Sequence, residues 1–83
     1  MAAKKIGEVT HYFDHLGVAI IKLKSALKVG DEVEFKSKKG TILTQTVDSM
    51  QVDHKDIDSG KVGDEVGIKV AEKVHEGNEV FVG

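Results

Sequence analysis

The sequence predicts a small all-β fold, a barrel of six strands that binds something and carries no catalytic machinery. Three observations carry that expectation. Apolar and polar residues alternate with period two in four separate stretches. Nine glycines are spread over 83 residues and interrupt every candidate helical window, where each would cost about 1 kcal/mol. Val, whose branched side chain is stiff and suits a pleated strand, dominates the apolar residues. A chain of this length makes one domain with a thin core. It buries only ~60–65% of the surface that its unfolded form exposes. With no Cys there is no disulfide to reinforce it.

The strands are read in order as residues 6–13, 18–24, 32–37, 41–53, 65–71 and 79–82, after a flexible N-terminus at 1–5. In the second, Ala19, Ile21 and Leu23 share one face and Lys22 lies on the other. In the third, Val33 and Phe35 alternate with Glu32, Glu34 and Lys36. Val66, Ile68 and Val70 alternate with Gly67 and Lys69, and Val80 and Val82 flank Phe81. His15-Leu16-Gly17 and Lys38-Lys39-Gly40 supply short hairpin turns in which Gly can adopt positive φ. The 41–53 stretch is too long to stay flat, and Val47 falls out of step with Met50 and Val52. That phase change predicts a bulge near Asp48-Ser49 that bends the strand round a corner. Residues 54–63 read as the longest loop.

One hexapeptide occurs twice. Lys28-Val29-Gly30-Asp31-Glu32-Val33 returns unchanged as Lys61-Val62-Gly63-Asp64-Glu65-Val66, with a weaker echo in His75-Glu76-Gly77-Asn78-Glu79-Val80. The residues between the copies do not match, so the echo is repeated turn chemistry rather than a repeated domain. Gly30, Gly63 and Gly77 take the left-handed position. Asp31 and Asp64 hydrogen-bond nearby backbone, and the following Val enters the core.

Motifs for chemistry are missing. Gly60-Lys61 lacks the upstream Gly and the Ser/Thr of a phosphate loop, so no nucleotide binding is expected. No Ser sits in a nucleophile elbow. Taking Asp56 as the first position of a calcium loop puts Gly67 where a bidentate Glu is required. His11 and His15 are four apart, a metal pair on a helix but not across a strand and turn, and two ligands rarely suffice for a structural zinc. No metal, cofactor or enzymatic activity is expected. The longest apolar stretch, Val18 to Ile21, is far short of the ~20 residues of a membrane span. No signal-peptide pattern follows Met1-Ala2-Ala3-Lys4-Lys5, so a soluble, cytoplasmic monomer is expected.

Charge is uneven along the chain. Residues 1–39 carry eight Lys against five acids, and residues 40–83 carry four against nine. Lys22, Lys24, Lys36, Lys38 and Lys39 could form a patch for a polyanion, or a solvated edge that blocks edge-to-edge aggregation. Arg is absent, which removes bidentate recognition of phosphate or guanine. In Thr10-His11-Tyr12-Phe13, a base-stacking platform competes with a simpler arrangement of one aromatic in the core and one on the surface.

The ordered set Leu27-Lys28-Val29-Gly30-Asp31-Glu32-Val33-Glu34-Phe35, Val47-Asp48-Ser49-Met50-Gln51-Val52 and Gly60-Lys61-Val62-Gly63-Asp64-Glu65-Val66-Gly67-Ile68-Lys69-Val70 resembles the second domain of translational GTPases such as elongation factor Tu. It also looks like the small C-terminal barrel of the collagenase-like peptidase family and like short elongation-factor-like proteins. The resemblance implies a six-stranded antiparallel Greek-key barrel whose relatives contact RNA or a neighbouring domain. The leading expectation is a translation-factor-like module that binds RNA or a ribonucleoprotein through His11, Tyr12, His15 and the five lysines above. The alternative is a protein-interaction module docking in trans onto a partner enzyme.

Overall fold

The computed structural model describes residues 4–53 and 55–82. Ten strands occur among them: β1 (Lys4–Phe13), β2 (Val18–Leu23), β3 (Leu27–Lys28), β4 (Glu32–Ser37), β5 (Gly40–Thr46), β6 (Met50–Val52), β7 (Lys55–Ile57), β8 (Ser59–Gly60), β9 (Glu65–Lys69) and β10 (Glu79–Val82). Eight form one sheet in the order β5-β4-β10-β1-β2-β9-β6-β7, and β3 pairs with β8 apart from it. Every pairing is antiparallel. The all-β class therefore stands, while the expected strand set is corrected: β3 lies between the strands expected at 18–24 and 32–37. Residues 54–63 are not simply loop, because β7 and β8 lie there. The 41–53 strand is two, broken over 47–49 where the apolar phase changes. Of the N-terminal segment expected to be flexible, Lys4 and Lys5 belong to β1, and residues 1–3 lie outside the described part.

The repeated turns hold these strands in place. At each one a backbone N–H donates to the Asx side chain three residues on. Lys28 N donates to Asp31 Oδ2 at 3.0 Å, Lys61 N to Asp64 Oδ2 at 3.0 Å and His75 N to Asn78 Oδ1 at 2.8 Å. The third position is glycine at φ 98°, 92° and 89° in Gly30, Gly63 and Gly77, a conformation that other L-residues rarely adopt. Each turn also clamps one buried residue of a distant strand or its extension. Gly30 N donates to Val47 O and Val47 N to Asp31 O, both at 2.8 Å. Gly63 and Asp64 hold Leu23 in the same way, at 2.9 and 2.8 Å, and Gly77 and Asn78 hold Val9, at 2.8 and 2.9 Å. Glu76 replaces Val in the third copy, yet its hydrogen-bond geometry is the same.

The Val that follows each turn, Val33, Val66 and Val80, is fully buried. With Ile6, Val9, Ala19, Ile21, Leu23, Leu27, Phe35, Val47, Met50, Ile68 and Val74 they form one core. Asn78 is the buried polar residue among the described ones, at 8% exposure, and it is satisfied by its turn. Replacing it with Ala strands a partly buried N–H and is expected to cost about 1–3 kcal/mol. Asp64→Ala, at an exposed turn, is expected to cost less than about 1 kcal/mol. Urea denaturation of the two variants checks the ranking, and equal losses would refute it.

Among the described residues the barrel is not closed by a continuous backbone ladder. β5 pairs with β4 at one end of the sheet, and β6 pairs with β9 near the other. The bent 41–53 segment thus spans both ends. Across the remaining gap the Gln45 side chain imitates a strand. Its Nε2 donates to Lys69 O at 2.7 Å, and its Oε1 accepts from Ala71 N at 2.9 Å. These bonds satisfy backbone groups that β6 is too short to reach.

Candidate binding surface

Of the residues singled out in the sequence, Lys36, Lys38 and Lys39 line one groove, and Tyr12, His15 and Lys22 do not line it. Lys22 sits opposite Glu65 in the β2–β9 register. Lys24 Nζ lies 3.0 Å from Glu8 Oε1. Lys36 Nζ lies 4.6 Å above the centre of the Phe81 ring and 3.9 Å from Glu34. Lys38 and Lys39 occupy the exposed tip of the β4–β5 hairpin. With Lys36 they line a groove of about 710 Å³ whose other walls include Glu8, Glu76 and Glu79. Charges separated along the chain are therefore interleaved in space, because the Lys-bearing strands β1, β2 and β4 each lie beside an acid-bearing one. Two groups record this in their titration. Hydrogen bonds to Glu79 and then Glu8 hold the Lys5 ammonium above its usual pKa. Hydrogen bonds from Lys24 and then Lys5 hold Glu8 below its own.

The aromatic stretch divides between two faces. Tyr12 is half-buried and packs against the core, and Phe13 points outward at 46% exposure. A bulge at Thr10 puts His11 opposite Ile20 and Phe13 opposite Val18. The His11 and Phe13 rings stack with centroids 6.1 Å apart. His11 Nδ1 lies 3.3 Å from Glu76 Oε2, and His15 is exposed in the β1–β2 turn. Among the described residues no three His, Asp or Glu side chains gather as a metal-binding group. No helix there is long and apolar enough to cross a membrane.

A concave surface that the sequence reading passed over lies on the outer side of β2 and β9. Phe13, Leu16, Val18 and Ile20 line a depression of about 340 Å³ together with Gln51, Asp53, Glu65 and Gly67. Leu16 is 67% exposed at the tip of the β1–β2 turn. Its neighbour Gly17, at φ 64°, donates to Phe13 O at 2.8 Å and fixes the turn. Gly67 forms part of the depression. A Cβ there would come within 3.3 Å of Ile20 Cδ1 and 3.4 Å of Val18 Cγ1, so those side chains lean over the space that glycine leaves. A signal for this surface was present. Val18 to Ile21 is apolar at four consecutive positions, one face more than the core requires.

Comparison with known proteins places the chain. Residues 3–79 match the peptidase family U32 C-terminal domain. The chain belongs to this family. An uncharacterized protease of Methanocaldococcus jannaschii, MJ0090, is 36% identical over 78 residues, covering 94% of this chain and 19% of that protein. The chain thus spans about a fifth of that relative's length. Two crystal structures of the C-terminal domain of a candidate U32 peptidase from Geobacillus thermoleovorans share the fold. One has a TM-score of 0.87 at 22% identity, covering 94% of this chain and 98% of the other. The second, also 22% identical, has a TM-score of 0.88 and covers 96% and 92%. Of the resemblances drawn from the sequence, the peptidase one holds. The expectation of a translation-factor-like RNA binder is overturned by the U32 family match and by this protease relative. In the groove that Lys36, Lys38 and Lys39 share, Glu8, Glu76 and Glu79 stand among them.

Proposed function

We propose that the chain is a non-catalytic docking module for the body of a U32-family peptidase. The observation that carries this reading is the coverage: the match takes in 94% of this chain and only 19% of the protease relative. Four-fifths of that relative lies outside the shared segment, so the family barrel accompanies a much larger body. Within this chain the buried residues are spent on core and turns, and an apolar depression is left on the surface. Such a surface suits protein contact, where a desolvated apolar centre with a polar rim supplies affinity.

The test is direct binding. The purified chain is mixed with a full-length U32-family peptidase from the same organism and analysed by size-exclusion chromatography with light scattering, after nuclease treatment. A stoichiometric complex is expected. Separate elution at micromolar concentrations overturns the reading.

A further inference from the structure

We propose that the outer face of β2 and β9, centred on Leu16, Ile20 and Gly67, is where the peptidase body docks, and that the docking segment presents large apolar side chains flanked by Lys or Arg. This rests on the docking reading above and adds the surface and the chemistry of its partner.

The face differs from the rest of the surface in three respects. It holds two of the largest exposed apolar side chains among the described residues, Phe13 and Leu16, beside half-buried Val18 and Ile20. Exposing these together is unfavourable in water, and contiguous patches of this kind mark contact sites. The face is also concave, because Gly67 of β9 lies beside Val18 and Ile20 of β2 without a side chain of its own. A convex apolar side chain from a partner fits such a notch. The third respect is charge. The lining carries the carboxylates of Asp53 and Glu65 and no cation. Asp56 stands next to it, accepting from Gln51 Nε2 at 3.0 Å. Lys22 lies opposite Glu65 at one end and Lys69 opposite Val18 at the other, both outside the lining, so the negative charge with no cation across from it in the β2–β9 register is at the β6–β7 end, around Asp53 and Asp56.

That distribution selects the occupant. An acidic or polyanionic partner would be repelled at the rim, whereas a basic-flanked apolar segment gains from both features. Four-fifths of the protease relative lies outside the matched region, which is ample chain to supply it.

The experiment uses the ¹⁵N-labelled chain and the same full-length U32-family peptidase. On titration, the amide signals of residues 13–20, 51–53 and 65–67 are expected to broaden first, ahead of those on the Lys38–Lys39 hairpin. Leu16→Asp, an exposed turn substitution, is expected to weaken binding at least tenfold. Asp53→Asn is expected to weaken it two- to fivefold and to flatten the dependence of affinity on salt. The spectrum of each free variant, unchanged away from the substitution, shows that it is folded. Wild-type binding with these signals unperturbed, or with Leu16→Asp binding as tightly as wild type, overturns the surface while leaving the docking reading intact. No binding by the wild-type chain overturns both.

Discussion

Phe35→Ala is expected to leave the chain largely unfolded near 37 °C. Phe35 is the single aromatic side chain that is fully buried among the described residues. It sits on β4, with β5 on one side and β10 on the other, opposite Leu43 and Val80. Truncating a buried Phe removes its transfer free energy and leaves a cavity, together costing about 3–5 kcal/mol. A domain of this length has only about 4–12 kcal/mol of stability in total. The sheet cannot collapse into the space, because β4 is fixed at its start by the Gly30–Asp31 turn and its clamp on Val47. At roughly 4–8 °C per kcal/mol for a small domain, the thermal midpoint should fall by ~12–40 °C. Phe35→Leu keeps most of the volume and should lose less than about 2 kcal/mol. Calorimetry on the pair provides the check. A Phe35→Ala midpoint within a few degrees of wild type would mean that the core is far more plastic than its packing shows.

Much of the fold was legible because two simple signals agreed. Alternation in Ala19/Ile21/Leu23, Val33/Phe35 and Val66/Ile68 gives the buried face of three strands, and glycine-Asx turns give their entry points. The bend near Asp48-Ser49 was legible too, since a side-chain period of two cannot slip by one without a bend, but it was read as a bulge within one strand and not as the end of β5 and the start of β6. The two- and three-residue strands β3, β7 and β8 left no trace, being shorter than one full alternation. Their pairing follows from tertiary context. Gln45 was equally hidden. Nothing in Thr44-Gln45-Thr46 says that an amide side chain will bridge β5 to the end of β9.

The binding surface was read less well, for a physical reason. A charge count along the chain treats neighbours in sequence as neighbours in space. In an antiparallel sheet with β10 inserted between β1 and β4, they are not. Glu79 from the acidic half reaches Lys5 at 2.7 Å, and Glu8 takes both Lys5 and Lys24 at 3.0 Å. The turn hexapeptide misled in a different way. It is a strong marker of how the chain enters a strand, and any barrel that needs that entry can use it, so it carries fold but not function. What distinguishes the outer β2–β9 face is an excess of apolar side chains over what the core needs. That excess becomes visible only once Ala19, Ile21 and Leu23 are seen to fill the inner face by themselves.

Gly7→Ala is expected to be among the most damaging single-methyl changes in the chain. Gly7 lies within β1 just after a bulge at Ile6, and it is paired on both sides, with Leu23 of β2 and Val80 of β10. A Cβ at this position would lie 2.5 Å from Lys22 O and 2.9 Å from Ile21 Cγ2. The first of these is backbone, and it cannot move without shifting β2 against both β1 and β9. Overpacking against a fixed partner costs typically 1–3 kcal/mol. Here relief also requires breaking ladder hydrogen bonds, so a loss of about 3 kcal/mol or more is expected, and Gly7→Val should give no folded protein. Gly30→Ala supplies the contrast. Nothing lies within 4 Å of its Cβ direction, and its cost comes from the backbone alone, at φ 98°. About 1–2 kcal/mol is expected there. Guanidinium denaturation of Gly7→Ala and Gly30→Ala separates collision from backbone strain. If Gly7→Ala is no less stable than Gly30→Ala, β1 and β2 are not held as closely as their double pairing requires.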